Sequence, residues 1–314
     1  MFKKSKKTFA SLVTVSTVTL AIAYLIGNKF YNLAIDPKSD KAGIFNAPHN
    51  FVDKKVFKLD VGSRYEKIIK KDMYAKSFDN FSLHAKIIYS KSKSNNWVIV
   101  CHGYGGVGVV VHKVILKFLE MDFNVLIPDL RGFGESDCNY IGWGWHDRID
   151  MFSWIKIILS MNCNANIGFY GISMGAAAVM AASGEDLPPN VKFAIEDSGY
   201  SSLWEEFLYQ FRLIYKMPTF PFLNLASFVT KIKANYSFKE VDMVKQVSKS
   251  KVPILFIHGD KDTFVPTDMI HKVYDATKTI KEKIVIKDAR HVEGLITNED
   301  LYWGSIKKFI RPFI

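Results

Sequence analysis

The chain has little cysteine. Only Cys101, Cys138 and Cys163 occur in 314 residues, with no CxxC pair and no Cys/His cluster at zinc-ligand spacing. An odd count leaves at least one thiol unpaired, so a disulfide framework does not hold this fold and no metal centre is expected. Also missing is any run of Lys/Arg interleaved with aromatics in the body. The formal charge of +11 takes four of its units from Lys3, Lys4, Lys6 and Lys7, and nucleic acid is therefore not an expected partner. The remaining positive excess fits residence near an anionic surface such as a cell envelope. No internal repeat, low-complexity tract or phosphate-binding loop is present, and no cofactor is expected. What remains is 48% hydrophobic and 23% charged, a globular composition long enough for one large domain or two small ones.

The N-terminus departs from that average. After "MFKKSKK" comes Thr8 to Gly27, twenty residues without a formal charge. At about 1.5 Å rise per residue, such a helix matches a bilayer core of about 30 Å. Ala21 and Ala23 resemble the small residues of a signal-peptidase site, but the apolar character continues through Leu25 and Ile26, which favours an uncleaved anchor over a cleaved signal or a buried helix. The basic flank precedes the span, so the positive-inside rule puts everything after Asn28 outside the cytoplasm. The expected organisation is an anchor or signal over 1–27, a loosely structured approach over 28–65, and a folded domain over 66–314.

From Lys67 short runs rich in Val and Ile alternate with segments of helical period. Strands are predicted at Lys67–Phe78, Leu83–Tyr89, Trp97–Cys101, Asn124–Pro128, Asn166–Tyr170, Lys192–Glu196, Pro253–His258 and Lys283–Lys287. Helices are predicted at His112–Met121, Trp145–Met161, Met174–Ser183, Thr267–Thr277 and Asn298–Phe309. The alternation predicts an α/β fold: a mostly parallel eight-stranded sheet with helices on both faces. From about 200 to 249 no strand candidate occurs. That length exceeds an ordinary crossover and predicts an inserted helical cap, with a long-helix crossover as the alternative.

"NIGFYGISMGAAAVMAAS" places Ser173 between two glycines, after a strand-like run and before a helix-like one. A hydroxyl becomes a useful nucleophile only when it stands clear of its neighbours, within reach of a base. A tight strand-to-helix turn puts it there and leaves no room for side chains at Gly171 and Gly175. The base and its orienting acid belong later, at the carboxyl ends of further strands. "ILFIHGDKDTFVP" offers Asp260 and Asp262, and "IVIKDARHVEG" offers His291. "VIVCHGYGG" puts a glycine-rich turn after a central strand, where the amide of Tyr104 can join that of Met174 as an oxyanion hole. His102 reads as a brace for this turn, and Arg131 as part of a structural loop. Asp197, just past the strand that follows the nucleophile, is a third candidate acid.

"HGYGG", "DLRGFGES", "GISMG", "HGDKDTFVP" and "ARHVEG", in that order, resemble the α/β-hydrolase superfamily from about Lys67 to the C-terminus. "GWHDRIDMFSWI" and "EDSGYSSLWEEF" further resemble the membrane-anchored serine hydrolases of Gram-positive bacteria. The resemblance implies Ser173, Asp262 and His291 as a catalytic triad, with Asp260 and Asp197 as rivals for the acid. The expected function is hydrolysis of carboxylic esters of short to medium acyl length through an acyl-enzyme. A peptidase, thioesterase or acyltransferase using the same triad, or a non-catalytic envelope protein, are the alternatives. Trp204, Phe207, Tyr209, Phe211 and Tyr215 would form either an apolar lid or plain core, and Trp143, Trp145 and His146 would line the mouth or only pack.

Overall fold

In the computed structural model, residues 19–39 and 62–314 are described. A helix, α1, covers residues 19–34, and a short α2 covers Gly62–Glu66. The strands are β1 Lys71–Lys76, β2 Ser82–Ile88, β3 Asn96–Cys101, β4 Asn124–Pro128, β5 Asn166–Ile172, β6 Val191–Asp197, β7 Ile254–Gly259 and β8 Lys281–Ile286. The remaining helices are α3 Val109–Glu120, α4 Asp147–Met161, α5 Met174–Ser183, α6 Leu203–Tyr215, α7 Phe222–Ala234, α8 Met243–Val247, α9 Asp268–Ala276, α10 Gly294–Thr297 and α11 Glu299–Ile310.

The eight strands form one sheet in the order β1-β2-β4-β3-β5-β6-β7-β8. β1 and β2 enter antiparallel, and every pairing from β4 through β8 is parallel. The central strands are buried on both faces, which is why their sequences are continuous apolar runs instead of alternating ones. α4, α5 and α9 cover one face through Trp154, Ile158, Val179, Ile270 and Val273. α3 and α11 cover the other through Val114, Phe118, Trp303, Ile306 and Phe309. Each large apolar side chain so buried contributes about 1.5–3 kcal/mol. α5 is buried at all ten positions, because its alanines let the helix lie close against β5 and β6.

The interval between β6 and β7 holds α6, α7 and α8 and no strand. α6 begins where Ser202 Oγ accepts from the Glu205 amide, the S-x-x-E signature of a helix start.

Of the N-terminal apolar stretch, residues 8–18 lie outside the described residues. Among the described residues no helix is long and apolar enough to cross a membrane. The approach segment expected over 28–65 differs at its start: residues 28–34 continue α1, and they are packed, not loose. Tyr31 and Ile35 are buried, and Ile35 carbonyl accepts from the Ile141 amide at 2.8 Å. The reason is apolar: Phe30 sits among Phe211, Tyr215 and Phe222 of the β6–β7 insertion, a cluster that periodicity within one segment cannot reveal. Residues 40–61 of that expected segment lie outside the described residues.

Candidate active site

The turn between β5 and α5 forces Ser173 into a backbone conformation that side chains rarely adopt, φ 55° and ψ −117°. The flanking glycines explain how the chain tolerates this. A Cβ on Gly171 would lie 2.1 Å from the Gly175 carbonyl oxygen, and one on Gly175 would lie 2.2 Å from that of Cys101. Neither position admits a side chain, so the turn closes against both its own helix and β3. The strained serine then stands at the carboxyl edge of the sheet.

His291 follows β8 and Asp262 follows β7, as the order of strands requires. Ser173 Oγ lies 3.0 Å from His291 Nε2, and His291 Nδ1 lies 2.7 Å from Asp262 Oδ2. With Nδ1–H donating to the carboxylate, Nε2 is left to accept the serine proton. Asp262 Oδ1 also accepts from the amides of Phe264 and Val265, both at 2.9 Å, which fixes the carboxylate before the imidazole docks on it. Burial alone would push this carboxyl up. The adjoining His291 and the hydrogen bonds from His258 and His291 hold it well below the ordinary carboxylate range instead.

The two rival acids are engaged elsewhere. Asp260 Oδ1 accepts from the Asp288 amide at 2.6 Å and braces the loop after β8. Asp197 accepts from Tyr302 at 2.6 Å, Ser198 at 2.9 Å and Tyr170 at 3.3 Å. Burial pushes its carboxyl up, and its hydrogen bonds tie β6 to α11 without engaging the imidazole.

His258 is the residue that sequence reasoning missed. It lies on β7, four residues before the acid, and its Nε2 is 3.2 Å from Asp262 Oδ2 and 3.0 Å from the Val265 carbonyl. Burial disfavours its charged form, but the hydrogen bond to Asp262 and the adjoining carboxylates carry it up to about 9. Asp262 Oδ2 therefore meets two imidazoles, those of His258 and His291. The signal was present in "FIHGDKD", which sets a histidine at the end of the strand four residues before Asp262.

The turn after β3 passes close to Ser173: a Cβ on Gly103 would lie 3.4 Å from Ser173 Cβ. Tyr104 is the next residue, and Met174 opens α5, where an amide has no acceptor within the helix. His102 accepts from the Leu130 amide at Nε2, 3.1 Å, and lies 2.7 Å from its neighbour's carbonyl at Nδ1. It links the turns after β3 and β4, and burial pushes its imidazole below the ordinary histidine range. Arg131 pairs with Asp150 and Asp79, and Asp147 accepts from the Arg131 and Gly144 amides, so the "GWHDRID" stretch holds a loop in place.

Beside the triad lies an apolar cavity of about 290 Å³. Phe264 stands between the two, its ring 4.8 Å from that of His291. Phe207, Phe211 and Tyr215 of α6 line the cavity, as do Trp143 and, on α1, Phe30, Leu33 and Ala34. The other members of the aromatic stripe do not: Trp204 lies under Lys239, and Tyr209 donates to the Thr263 carbonyl. Trp145 lies under Arg148, and His146 hydrogen-bonds Tyr140. The polar exceptions in the cavity wall are Glu206 and Gln210. Gln210 Nε2 donates to Glu206 Oε1 at 3.1 Å, and burial pushes the Glu206 carboxyl up to about 8. On the antiparallel edge of the sheet, Asp72, His84 and Glu135 bring ligand atoms within 4.8 Å of one another, but the ring nitrogens of His84 already engage Asp72 and Asp129.

Comparison with known proteins agrees with this architecture. A family model described as the alpha/beta hydrolase fold matches residues 96–220. The uncharacterized protein YqkD of Bacillus subtilis is 26% identical over 216 residues, 68% of this chain and 71% of its own. The uncharacterized membrane protein YNL320W of Saccharomyces cerevisiae is 22% identical over 313 residues, 99% of this chain and 98% of its own. Among solved structures, the Pyrococcus furiosus esterase Pf2001 superposes with a TM-score of 0.66 at 21% identity, over 80% of this chain and 93% of that one. At that identity the likeness is one of fold.

Proposed function

We propose that this chain, which carries the alpha/beta hydrolase fold, is a serine hydrolase acting on carboxylic esters of short to medium acyl length. The observation that carries the proposal is the relay of 3.0 Å from Ser173 to His291 and 2.7 Å from His291 to Asp262. His291 Nε2 takes the hydroxyl proton as Ser173 Oγ attacks the acyl carbon, while Asp262 steadies the imidazolium. The amides of Tyr104 and Met174 receive the charge that develops on the carbonyl oxygen. His291 then protonates the leaving alcohol, leaving an acyl-serine. Water attacks that ester with His291 as base again, and the carboxylic acid departs. The aromatic cavity beside Phe264 supports an apolar acyl group over a charged one.

The stretch Thr8 to Gly27 supports a second part of the reading: a single-pass anchor with the catalytic domain outside the cytoplasm. A yeast relative named as a membrane protein aligns along almost the whole chain, which agrees with it.

A fluorophosphonate probe tests the chemistry. The wild type is expected to be labelled and to hydrolyse p-nitrophenyl butyrate. Ser173→Ala is expected to lose labelling and to lower kcat by on the order of 10⁴-fold or more. Absence of labelling in the folded wild type would overturn the enzyme reading in favour of a binding protein.

A further inference from the structure

The cavity beside the triad has an unusual wall. Phe30, Leu33 and Ala34 line it, and they lie on α1, the helix whose first half belongs to the uncharged stretch Thr8 to Gly27. Gly27 and Leu33 are six residues apart, about 9 Å along a helix. The end of a bilayer-length apolar segment and the wall of the acyl cavity are thus one continuous rod. The rod is seated firmly: a Cβ on Gly27 would lie 2.5 Å from the Leu225 carbonyl oxygen of α7, and Trp143 Nε1 donates to the Ala34 carbonyl at 3.2 Å.

The outer surface beside this joint carries exposed apolar side chains, with Lys233 of α7 donating to Asn28 of α1 among them. Leu20, Ile22 and Leu25 on α1, Phe228 and Ile232 on α7, and Phe220 just before α7 are each more than half exposed. Phe228 and Ile232 lie one helical turn on from Leu225 and Val229, which α1 touches, so they flank it. Exposed apolar groups gathered like this mark a surface meant to be covered, and large apolar side chains beside a membrane-length segment suit the headgroup boundary of a bilayer.

We propose that the protein draws its substrate from a bilayer: a single-chain acyl ester of a membrane amphiphile, whose chain lies in the cavity walled by α1 while its carbonyl reaches Ser173. This rests on the serine-hydrolase reading above. At about 290 Å³ the cavity falls at the lower limit of the roughly 300–1,000 Å³ usual for small-molecule sites, which suits one chain and not two. Water is the co-substrate, and the products are a free carboxylic acid and the headgroup alcohol.

The test uses the full-length protein in vesicles of phosphatidylcholine and phosphatidylglycerol. Hydrolysis of monododecanoyl glycerol in those vesicles is compared with hydrolysis of soluble p-nitrophenyl butyrate. The pair Phe228→Glu and Ile232→Glu, on the outer surface, is expected to lower turnover of the vesicle-borne ester at least fivefold while butyrate turnover stays as in wild type. Leu33→Trp, which fills the cavity, is expected to lower the ratio of dodecanoyl to butyryl turnover about tenfold. The proposal is overturned if that ratio is unchanged in Leu33→Trp, or if the glutamate pair leaves vesicle turnover intact. It is equally overturned if both activities fall together in the glutamate pair and again in the milder Phe228→Ser, Ile232→Ser pair. Failure of the underlying serine-hydrolase reading would look different, since butyrate hydrolysis would then be absent or would survive Ser173→Ala.

Discussion

The two ends of the site are built by opposite means. At the reactive end, Ser173, Asp262 and His291 each sit on a short turn that leaves the carboxyl end of a parallel strand, β5 and β7 buried and β8 at the sheet's edge, and their positions follow from the sheet's register. At the apolar end, the cavity is assembled from α1, α6, α7 and Trp143, elements far apart in the chain whose side chains simply meet. The first construction is held by backbone contacts with no slack. The second is held by aromatic packing, which tolerates exchange among residues of similar size. The difference suggests that the chemistry of this chain is fixed by its turns, and its choice of substrate by side chains that can vary without disturbing them.

The comparison is most easily broken at Gly175. Gly175→Ala sets a methyl group against the Cys101 carbonyl at 2.2 Å, and is expected to destabilise the fold by about 3 kcal/mol and to abolish the proposed ester hydrolysis. Thermal unfolding and p-nitrophenyl butyrate hydrolysis measure both effects; a stable, active variant would show that the reactive end has slack after all.

A smaller effect is expected at His258, which we regard as a positioning residue acting through Asp262. His258→Leu removes a hydrogen bond to a buried carboxylate, worth about 1.5–3 kcal/mol, and should lower kcat about ten- to a hundredfold with KM unchanged. An unchanged kcat, or a rise in KM alone, would assign His258 to packing.

The smallest expected effect lies in the cavity wall. Glu206 has its carboxyl pushed up to about 8 by burial, and Glu196 likewise. A folded-state value raised above the unfolded one means that stability is full below the ordinary carboxylate range and falls as pH rises through about 8. The melting temperature of the wild type should therefore drop between pH 5 and pH 9, and Glu206→Gln should remove part of that drop, with Glu196, Asp150 and His258 among the groups that retain the rest. A profile identical to wild type would place Glu206 in contact with water.

The contrast also explains what could be read from the chain beforehand. β4 and α5 coincide with their expected bounds, because a continuous apolar run such as "NVLIP" and a glycine-flanked alanine helix are set by local rules. The expected first strand began four residues early, at Lys67, because Lys67 to Lys70 form a turn that α2 and Lys70 shape: Lys70 donates to the Tyr65 and Ile68 carbonyls. Ser173 and His291 were legible from motif and strand position. The family resemblance already favoured Asp262 over Asp260, although both follow the same strand; in the fold of the loop the Asp262 carboxylate meets His291 while Asp260 accepts from the Asp288 amide. The role of α1 as a cavity wall was invisible, because no periodicity within residues 19–34 announces that Phe30 will meet Phe211 and Phe222.

Gly27 gives that wall its mechanical character. With no side chain there, α1 runs unbroken through residues 19–34 in backbone contact with α7, and its far end is pinned by the Ile35 and Ala34 carbonyls. A helix joined in this way works as a handle and not as a leash: whatever orients residues 19–26 sets the heading of the whole catalytic domain.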